Sequence, residues 1–197
     1  TVSTPNGTAY LNVTGNPSEQ FRLASIADTT FIVNREKTVA MDTSNLSTNW
    51  GTKSMFFVKA ANYQTTYSVT VAGVTKTFTT GSSGALSTIT IAQNLRNSLA
   101  GDSSLSGFTF THNEFVISVA KNDGSDYAIS SSDTRSNTDI SSIKGVVSAI
   151  SDLPATAEHG FKVQVQGSVA TSFDDYYVQF EANAGSGFGP GVWRETV

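Results

Sequence analysis

The stretch YSVTVAGVTKTFTT, residues 67–80, decides how the middle of this chain folds. Apolar and polar residues alternate along it, which is typical of half-buried strands, and the break at residues 72–73 predicts a hairpin turn. MFFVKA (55–60) is a predicted strand before it. GFTFT (107–111) and FVISVAK (115–121) form a second predicted hairpin, turned at His112, Asn113 and Glu114.

One helix is predicted between the two hairpins. Thr90 and Gln93 have the spacing of a capping box, and Gly101 is a helix stop. Apolar residues recur on one face of this helix at Ile91, Leu95 and Leu99. The order ββαββ predicts a single helix packed on one face of a small sheet.

Alternating stretches on both sides of this module predict further strands. In the first third these are AYLNV (9–13), FRLASIA (21–27), TTFIVN (29–34) and TVAMD (38–42). In the last third FKVQVQ (161–166), YYVQFE (176–181) and VWRET (192–196) predict a three-stranded meander. Residues 130–139 are a predicted loop, and residues 140–150 fit a helix or a strand. The aromatic residues on these strands are predicted core: Phe21, Phe31, Phe57, Phe161, Tyr176 and Phe180.

The predicted fold class is therefore mainly β with one helix (α+β), with antiparallel sheets and an inserted ββαββ module. The module is assigned to residues 52–132. Residues 1–51 and 133–197 are assigned to a β-rich, platform-like region whose strands could share one sheet.

Composition limits the possible functions. The chain has 197 residues, a net charge of -4 and only 14% charged residues, whereas a nucleic-acid binder needs clustered Lys and Arg. Cysteine is absent, which excludes disulfides, a thiol nucleophile and thiolate metal sites. No apolar run is long enough to span a membrane, and no signal peptide is visible. The first residue is not Met, so we expect a piece of a longer protein.

Carboxylates are the catalytic candidates. Asp174, Asp175 and Glu181 lie near the last predicted hairpin, and glycoside hydrolysis needs two carboxylates across a cleft. His112 and His159 lie beside turn residues and are interpreted as loop polar groups. No G-x-S-x-G motif presents a serine nucleophile.

Asn122, Asp123 and Asp126 in KNDGSDY could bind a hard cation, but a further acidic ligand is missing, and a hairpin turn explains the same residues. No cofactor is predicted. The loop GSGFGPG (185–191) leads into a strand, whereas a phosphate cradle must open a helix. Tyr177 and Trp193 are candidate exposed aromatics for binding a sugar or a neighbouring subunit.

Three stretches carry a resemblance to a known family. TTFIVNREKTVAMD (29–42), ISDLPATAEHGFKVQVQG (150–167) and FDDYYVQFEANAGSGFGPGVWRETV (173–197) resemble tail tubular protein B, the nozzle protein of short-tailed, T7-like phages. The shared pattern is a DLP segment, a G-[FY]-x-V-x-[IV] strand, a D-x-YYV strand and a closing W-x-E-T strand. With the intervening ββαββ module the resemblance covers most of the chain.

The resemblance implies a structural protein of the virion tail. Nozzle proteins form a hexameric ring below the adaptor (gatekeeper) protein, line the channel through which DNA is ejected, and help attach tail fibres. The family protein is several times longer, so this chain resembles an N-terminal region of it. No catalytic residue carries over. Two alternatives remain open at this point, an envelope polysaccharide hydrolase and a carbohydrate-binding tail module.

Overall fold

The computed structural model describes residues 7–38, 52–167 and 174–196. They belong to two units, Thr1–Ser47 and Thr48–Val197, and each unit is described by itself. No helix within the described ranges is long and apolar enough to cross a membrane.

The first unit is built on a two-stranded antiparallel hairpin. Strands β1 (Phe21–Ile26) and β2 (Thr29–Asn34) pair over all six residues, which confirms both predicted strands. Ala27 takes a left-handed φ of 51° in the two-residue turn. A short helix, α1 (Pro17–Gln20), precedes the hairpin.

The predicted strand at residues 9–13 is wrong, because Ala9–Leu11 form a 3-10 helix. Asn34 explains the difference. Its side-chain amide donates to the carbonyls of Tyr10 and Asn12, at 2.7 and 3.3 Å, and its backbone N–H donates to the Tyr10 hydroxyl. These bonds hold the segment across the end of β2, a long-range effect that local alternation does not reveal. The predicted strand TVAMD falls almost entirely on residues outside the described ranges.

The described part of the second unit contains twelve strands, one long helix and short 3-10 helices. Its helices are α2 (Thr88–Ala100) and the 3-10 turns Ser103–Leu105 and Ile150–Asp152. Its strands are β3 (Lys53–Val58), β4 (Thr66–Val71), β5 (Val74–Thr79), β6 (Phe108–Asn113), β7 (Val116–Lys121), β8 (Ile129–Asp133), β9 (Ile140–Ile143), β10 (Val146–Val147), β11 (Thr156–Glu158), β12 (Lys162–Val165), β13 (Tyr176–Ala182) and β14 (Phe188–Thr196).

These strands form three sheets. The central sheet has the order β6-β7-β3-β9, the small sheet β5-β4-β8, and the outer sheet β10-β12-β13-β14-β11. All pairs are antiparallel except β10 with β12. The predicted class of mostly antiparallel β structure with one main helix is confirmed, as is the meander β12-β13-β14.

The central sheet is buried on both faces. On one face Phe56, Val58 and Ile117 pack with α2 and the small sheet. On the other face Met55 and Phe57 pack with the outer sheet. This explains why β3 reads as an uninterrupted apolar run instead of an alternating one.

Helix α2 buries the residues that the pattern predicted, Ile91, Leu95 and Leu99, and is capped by Gly101. Its start differs from the prediction. Ser87 is the N-cap, and its hydroxyl accepts from the backbone N–H of Thr90, so the helix begins at Thr88 and not at Thr90. Ser87 thus binds the backbone N–H of Thr90, which in the predicted capping box would have bonded to the Gln93 side chain.

The four strands around α2 do not share one sheet. β4 and β5 belong to the small sheet, whereas β6 and β7 belong to the central sheet, and α2 packs against both. The expected helix on one face of a single small sheet is therefore corrected. The assignment of residues 52–132 to a separate module stays a prediction; β8 spans its boundary, and β9 pairs with β3.

Several predicted breaks are shifted. The second hairpin turns at residues 114–115, with Glu114 at a φ of 50°. The predicted loop 130–139 begins as strand β8, because its residues pair along β4. The ambiguous segment 140–150 contains two strands, β9 and β10, separated at Gly145, which has a φ of 77°.

Candidate functional site

The carboxylate candidates lie at opposite ends of β13. The Asp175 carboxylate accepts from the Gln164 side-chain amide at 2.8 Å and from the backbone N–H of Gly167 at 3.4 Å. Glu181 accepts from the Arg194 guanidinium at 2.5 Å, and both side chains are exposed. Glu181 lies six positions after Asp175 along extended chain, which is roughly 20 Å at about 3.3 Å per residue. Glycosidase carboxylates lie about 5 to 9.5 Å apart, so Glu181 cannot form such a pair with Asp174 or Asp175.

Asp174 lies beside Asp175. A Cβ atom added to Gly167 would approach the Asp174 carboxyl carbon to 2.4 Å, so the two aspartates flank the same glycine. Only glycine, which has no Cβ atom, leaves room for the Asp174 side chain at this position. A catalytic role for Asp174 and Asp175 stays a prediction.

The candidate cation ligands are engaged in other bonds. Asp123 accepts from the backbone N–H and hydroxyl of Ser125, which lowers the pKa of the Asp123 carboxyl. Asn122 accepts from the Thr109 hydroxyl at 2.7 Å. Asp126 pairs with Lys144, and this ammonium lowers the pKa of the Asp126 carboxyl. The described residues contain no group of three His, Asp or Glu that could hold a metal ion. The bonds of Asp123 form a turn after β7, and this turn is not a hairpin because β7 and β8 belong to different sheets. A cation site at these residues stays a prediction.

The two histidines lie apart from these carboxylates along the chain. His112 belongs to β6, and His159 follows β11, where its Nδ1 accepts from the backbone N–H of Ala182 at 3.3 Å. His159 also donates its own backbone N–H to Gly187. These bonds give His159 a role in holding the end of β13 to the turn before β14.

The two candidate aromatics differ in environment. Trp193 packs edge-on against Phe161 and Phe180, at centroid distances of 6.3 and 5.1 Å, and its indole N–H donates to the Pro154 carbonyl. It therefore contributes to the core, contrary to the expected exposed aromatic, because it faces inward from β14. Tyr177 faces outward opposite Gln164 and is half-buried.

Two ion pairs connect elements of the second unit. Lys53 on β3 binds Glu158 at 2.5 Å, and Ser118 on β7 donates to the same carboxylate, so the central and outer sheets are joined. Lys76 on β5 binds Asp102 after α2 at 2.6 Å, and this ammonium lowers the pKa of the Asp102 carboxyl to about 2. Glu158 and Asp102 each bind a lysine and connect two elements of the unit, which is a structural role.

The small sheet exposes a surface of hydroxyl groups. On its outward face β4 contributes Thr66 and Thr70, whose hydroxyls hydrogen-bond to Thr79 and Thr75 on β5, both at 2.8 Å. Ser68 lies between them, opposite Ser132 on β8. Every side chain named here is uncharged, so this face offers no cation that would hold a phosphate backbone.

The first unit contains a surface that sequence reasoning missed. Phe31 was predicted to be core, but it is 54% exposed, and the neighbouring apolar residues of the hairpin are exposed as well. Phe57, Phe161 and Phe180 are buried as predicted. The signal in the sequence was the run Phe31-Ile32-Val33, which places apolar side chains on both faces of β2.

The comparisons with known proteins agree with this scaffold-like geometry. The family model for the bacteriophage nozzle protein matches residues 1–197. The chain belongs to this family. Tail tubular protein gp12 of Escherichia phage T7 is 28% identical over 205 residues, covering 100% of the chain and 25% of gp12. The nozzle-family chain thus spans a quarter of the length of the curated relative that it matches. The resemblance noted in the sequence is confirmed, and the chain is a structural component of the virion tail.

Proposed function

We propose that the chain forms part of the wall of a phage tail nozzle. In this role copies of the complete protein assemble into a ring, which the family resemblance predicts to be hexameric, around the channel for DNA ejection. The single observation that carries the proposal is the family match over the whole chain. The partners are further copies of itself, the adaptor (gatekeeper) protein above the ring, and tail fibres.

The structure and charge of the chain support passage of DNA without retention. The net charge is -4, and the exposed face of the small sheet carries hydroxyls without cations. A basic wall would neutralise phosphates, release counterions and hold the DNA. An uncharged or acidic wall leaves the DNA hydrated and mobile in the channel.

The packing of the second unit supports a structural role. Its central sheet is covered on both faces, and the ion pair Lys53–Glu158 joins that sheet to the outer sheet. We extend the proposal to the inserted ββαββ module at residues 52–132, supported by α2 packing on both of its hairpins. An insertion held in this way would offer a surface to a fibre or an adaptor.

The proposal is tested with the full-length polypeptide that contains this chain. Electron microscopy of the purified protein, alone and mixed with the adaptor protein, should show closed rings with an axial channel. Particles assembled without the protein should lack the distal tail and should not eject DNA when triggered. A full-length protein that forms no ring and is absent from tails would overturn the proposal.

The hydrolase alternative is tested on the same preparation by measuring release of reducing ends from envelope polysaccharides. We expect no release above a heat-treated control. If release occurs, Asp174→Asn and Asp175→Asn should be compared with Glu181→Gln, which the geometry above excludes from a carboxylate pair with either aspartate. Turnover that either aspartate variant abolishes would establish an enzyme in place of a purely structural protein.

A further inference from the structure

A polar groove lies between the small sheet and helix α2. β5 is the first strand in the order of this sheet, and α2 packs against its inward face. The groove has a volume of about 640 Å³. None of the eight described residues that line it is hydrophobic, whereas pockets for drug-sized ligands are mostly apolar. These residues are Thr75, Lys76 and Thr77 from β5, Asn97 and Ser98 from α2, and Gly101, Asp102 and Ser103 after the helix.

An ion pair lies in this groove and is held by the fold. Lys76 alternates along β5 with Val74 and Phe78, which pack into the core that contains α2, so Lys76 is directed toward the helix. Its ammonium binds Oδ2 of Asp102 at 2.6 Å, and the two side chains are 28% and 22% exposed. Oδ1 of Asp102 accepts from the backbone N–H of Ser104 at 2.9 Å. The carboxylate is therefore fixed from two sides.

The ion pair places a strong donor beside a strong acceptor. The Lys76 ammonium has three N–H donors, and its bond to Asp102 uses one of them. The hydrogen bond from Lys76 contributes most to lowering the pKa of Asp102 to about 2, so this carboxylate stays ionised and can only accept. Hydrogen bonds to charged groups are about twice as strong as those between neutral groups. Asn97, Ser98 and Thr77 add neutral donors and acceptors on the walls.

The charge balance of the groove limits the class of ligand. Lys76 and Asp102 are the charged residues of the lining, and their charges cancel. An anion attracted by Lys76 is repelled by Asp102 beside it, and the reverse holds for a cation. An apolar ligand would cover these polar groups without bonding to them, which is costly. A neutral ligand with many hydroxyl groups matches both the donors and the acceptors.

We propose that this groove binds a neutral saccharide. Two adjacent hydroxyls of a sugar ring would bridge the ion pair, one accepting from the Lys76 ammonium and the other donating to the Asp102 carboxylate. Asn97 and Ser98 on one wall and Thr77 on the other would bind further hydroxyls. The site binds its ligand without breaking a bond. It goes beyond the proposed role in the nozzle wall and does not depend on it.

The ligand class is tested by calorimetric titration of the full-length protein with matched hexasaccharides. Chitohexaose and maltohexaose are neutral, the glucosamine hexamer is the cationic counterpart of chitohexaose, and hexagalacturonate is anionic. We expect saturable binding of a neutral probe and at least tenfold weaker binding of both charged probes. Failure of both neutral probes to bind, or tighter binding of a charged probe, would overturn the proposal.

The position of the site is tested by filling the groove. Ser98→Trp places an indole ring on the α2 wall. Gln93→Trp is the matched control, because Gln93 is equally exposed on the same helix but does not line the groove. We expect Ser98→Trp to weaken saccharide binding at least tenfold and Gln93→Trp to change it less than twofold, with circular dichroism confirming that both variants are folded. Equal affinities of the two variants would place the binding elsewhere and overturn the assignment.

Asp102→Asn provides a readout that a loss of stability would not mimic. It leaves Lys76 without its opposite charge, so we expect neutral saccharides to bind at least fivefold more weakly and hexagalacturonate at least fivefold more tightly. Glu181→Gln removes the carboxylate of another ion pair, with Arg194, and should change neither affinity. An Asp102→Asn variant with wild-type affinity for every probe would contradict the proposal. Ring formation is scored separately by electron microscopy, so its failure would count against the proposed function alone.

Discussion

Strands β2 and β3 are similar in sequence and opposite in environment. Each strand spans six residues and contains a short apolar run, FIV in TTFIVN and MFFV in KSMFFV. In β3 every residue from Ser54 to Val58 is buried, whereas in β2 every residue from Thr29 to Val33 is exposed. A run of apolar residues therefore indicates a strand with two apolar faces, but it does not say whether the same chain covers them.

The difference comes from neighbours that are distant in sequence. β3 is paired on both edges, with β7 and β9, and covered on both faces by layers drawn from residues 66 to 193. Among the described residues of the first unit, β2 pairs with β1 alone. Matched substitutions, one in each unit, test whether this difference in burial has the expected energetic effect.

The largest expected effect is that of Phe56→Ala in β3. Phe56 is 0% exposed, so truncation leaves a cavity and should lower the free energy of unfolding by about 3–5 kcal/mol. The counterpart Phe31→Ala removes an exposed ring and should cost less than about 0.5 kcal/mol. Urea unfolding of both variants measures the difference; equal losses would show that β2 is as deeply buried as β3.

Asp133→Asn should have the next largest effect. The Asp133 carboxylate accepts the backbone N–H groups of Arg135, Asn137, Asp139 and Ile140 and thereby holds the connection between β8 and β9. Burial alone would raise the pKa of Asp133, but these four bonds together lower it below its usual value. We expect a loss of about 1–3 kcal/mol near pH 7, because a neutral amide accepts these bonds less well.

The pH dependence of that loss has a definite sign. A lowered folded-state pKa stabilises the fold above the unfolded value of about 3.9, and this contribution disappears as the pH falls through the folded-state pKa. The stability difference between wild type and Asp133→Asn should therefore shrink below about pH 4. Urea midpoints measured from pH 7 to pH 2 check this, and a difference that is constant with pH would contradict it.

Tyr127→Phe and Tyr10→Phe compare one hydroxyl in each unit. The buried Tyr127 hydroxyl donates to the Val119 carbonyl and bonds to Ser54, which is also buried, so its loss should cost about 1–2 kcal/mol. The Tyr10 hydroxyl accepts from Asn34 at a more exposed site, and its loss should cost about 0.5 kcal/mol. Thermal unfolding of the two variants measures both costs, and a larger loss for Tyr10→Phe would reverse the comparison.

Alkaline titration provides a second readout for Tyr127. Burial raises the pKa of Tyr127 to about 12. The neutral phenol therefore stabilises the fold fully below about pH 10, and this contribution is lost as the pH rises toward 12. Burial also raises the pKa of Tyr67. Phenolate absorbance should therefore show a late ionisation step, and Tyr127→Phe should reduce that step by the contribution of one tyrosine.

Glu181→Gln has the smallest expected effect. Its partner Arg194 is exposed, and exposed ion pairs contribute about 0–1 kcal/mol. We expect a change in the urea midpoint within error and no change in ring formation by the full-length protein. Lys53→Met should lower the free energy of unfolding more than Glu181→Gln does, because it leaves the half-buried Glu158 carboxylate without its cation.

Much of the secondary structure could be predicted, and the sites could not. The hairpin at residues 67–80, the buried face of α2 and the final meander follow from local periodicity, which is a property of neighbouring residues. The strand at residues 129–133 was missed because its sequence, ISSSD, contains one apolar residue and shows no alternation. These residues form a strand because they pair with β4. The separation of Asp175 and Glu181 could be estimated only once the structure showed that Glu181 lies on the extended strand β13 and that Asp175 comes directly before it.

The nozzle family, the mostly antiparallel β class and the position of the one long helix could be predicted from local motifs and short-range periodicity. The three-dimensional packing was needed to show that the strands around α2 divide between two sheets, that Trp193 packs against the core, and that Phe31 is exposed. Burial depends on which layers, distant in sequence, cover a strand. Two short apolar runs can therefore lie in a buried core strand in one unit and in an exposed strand in the other.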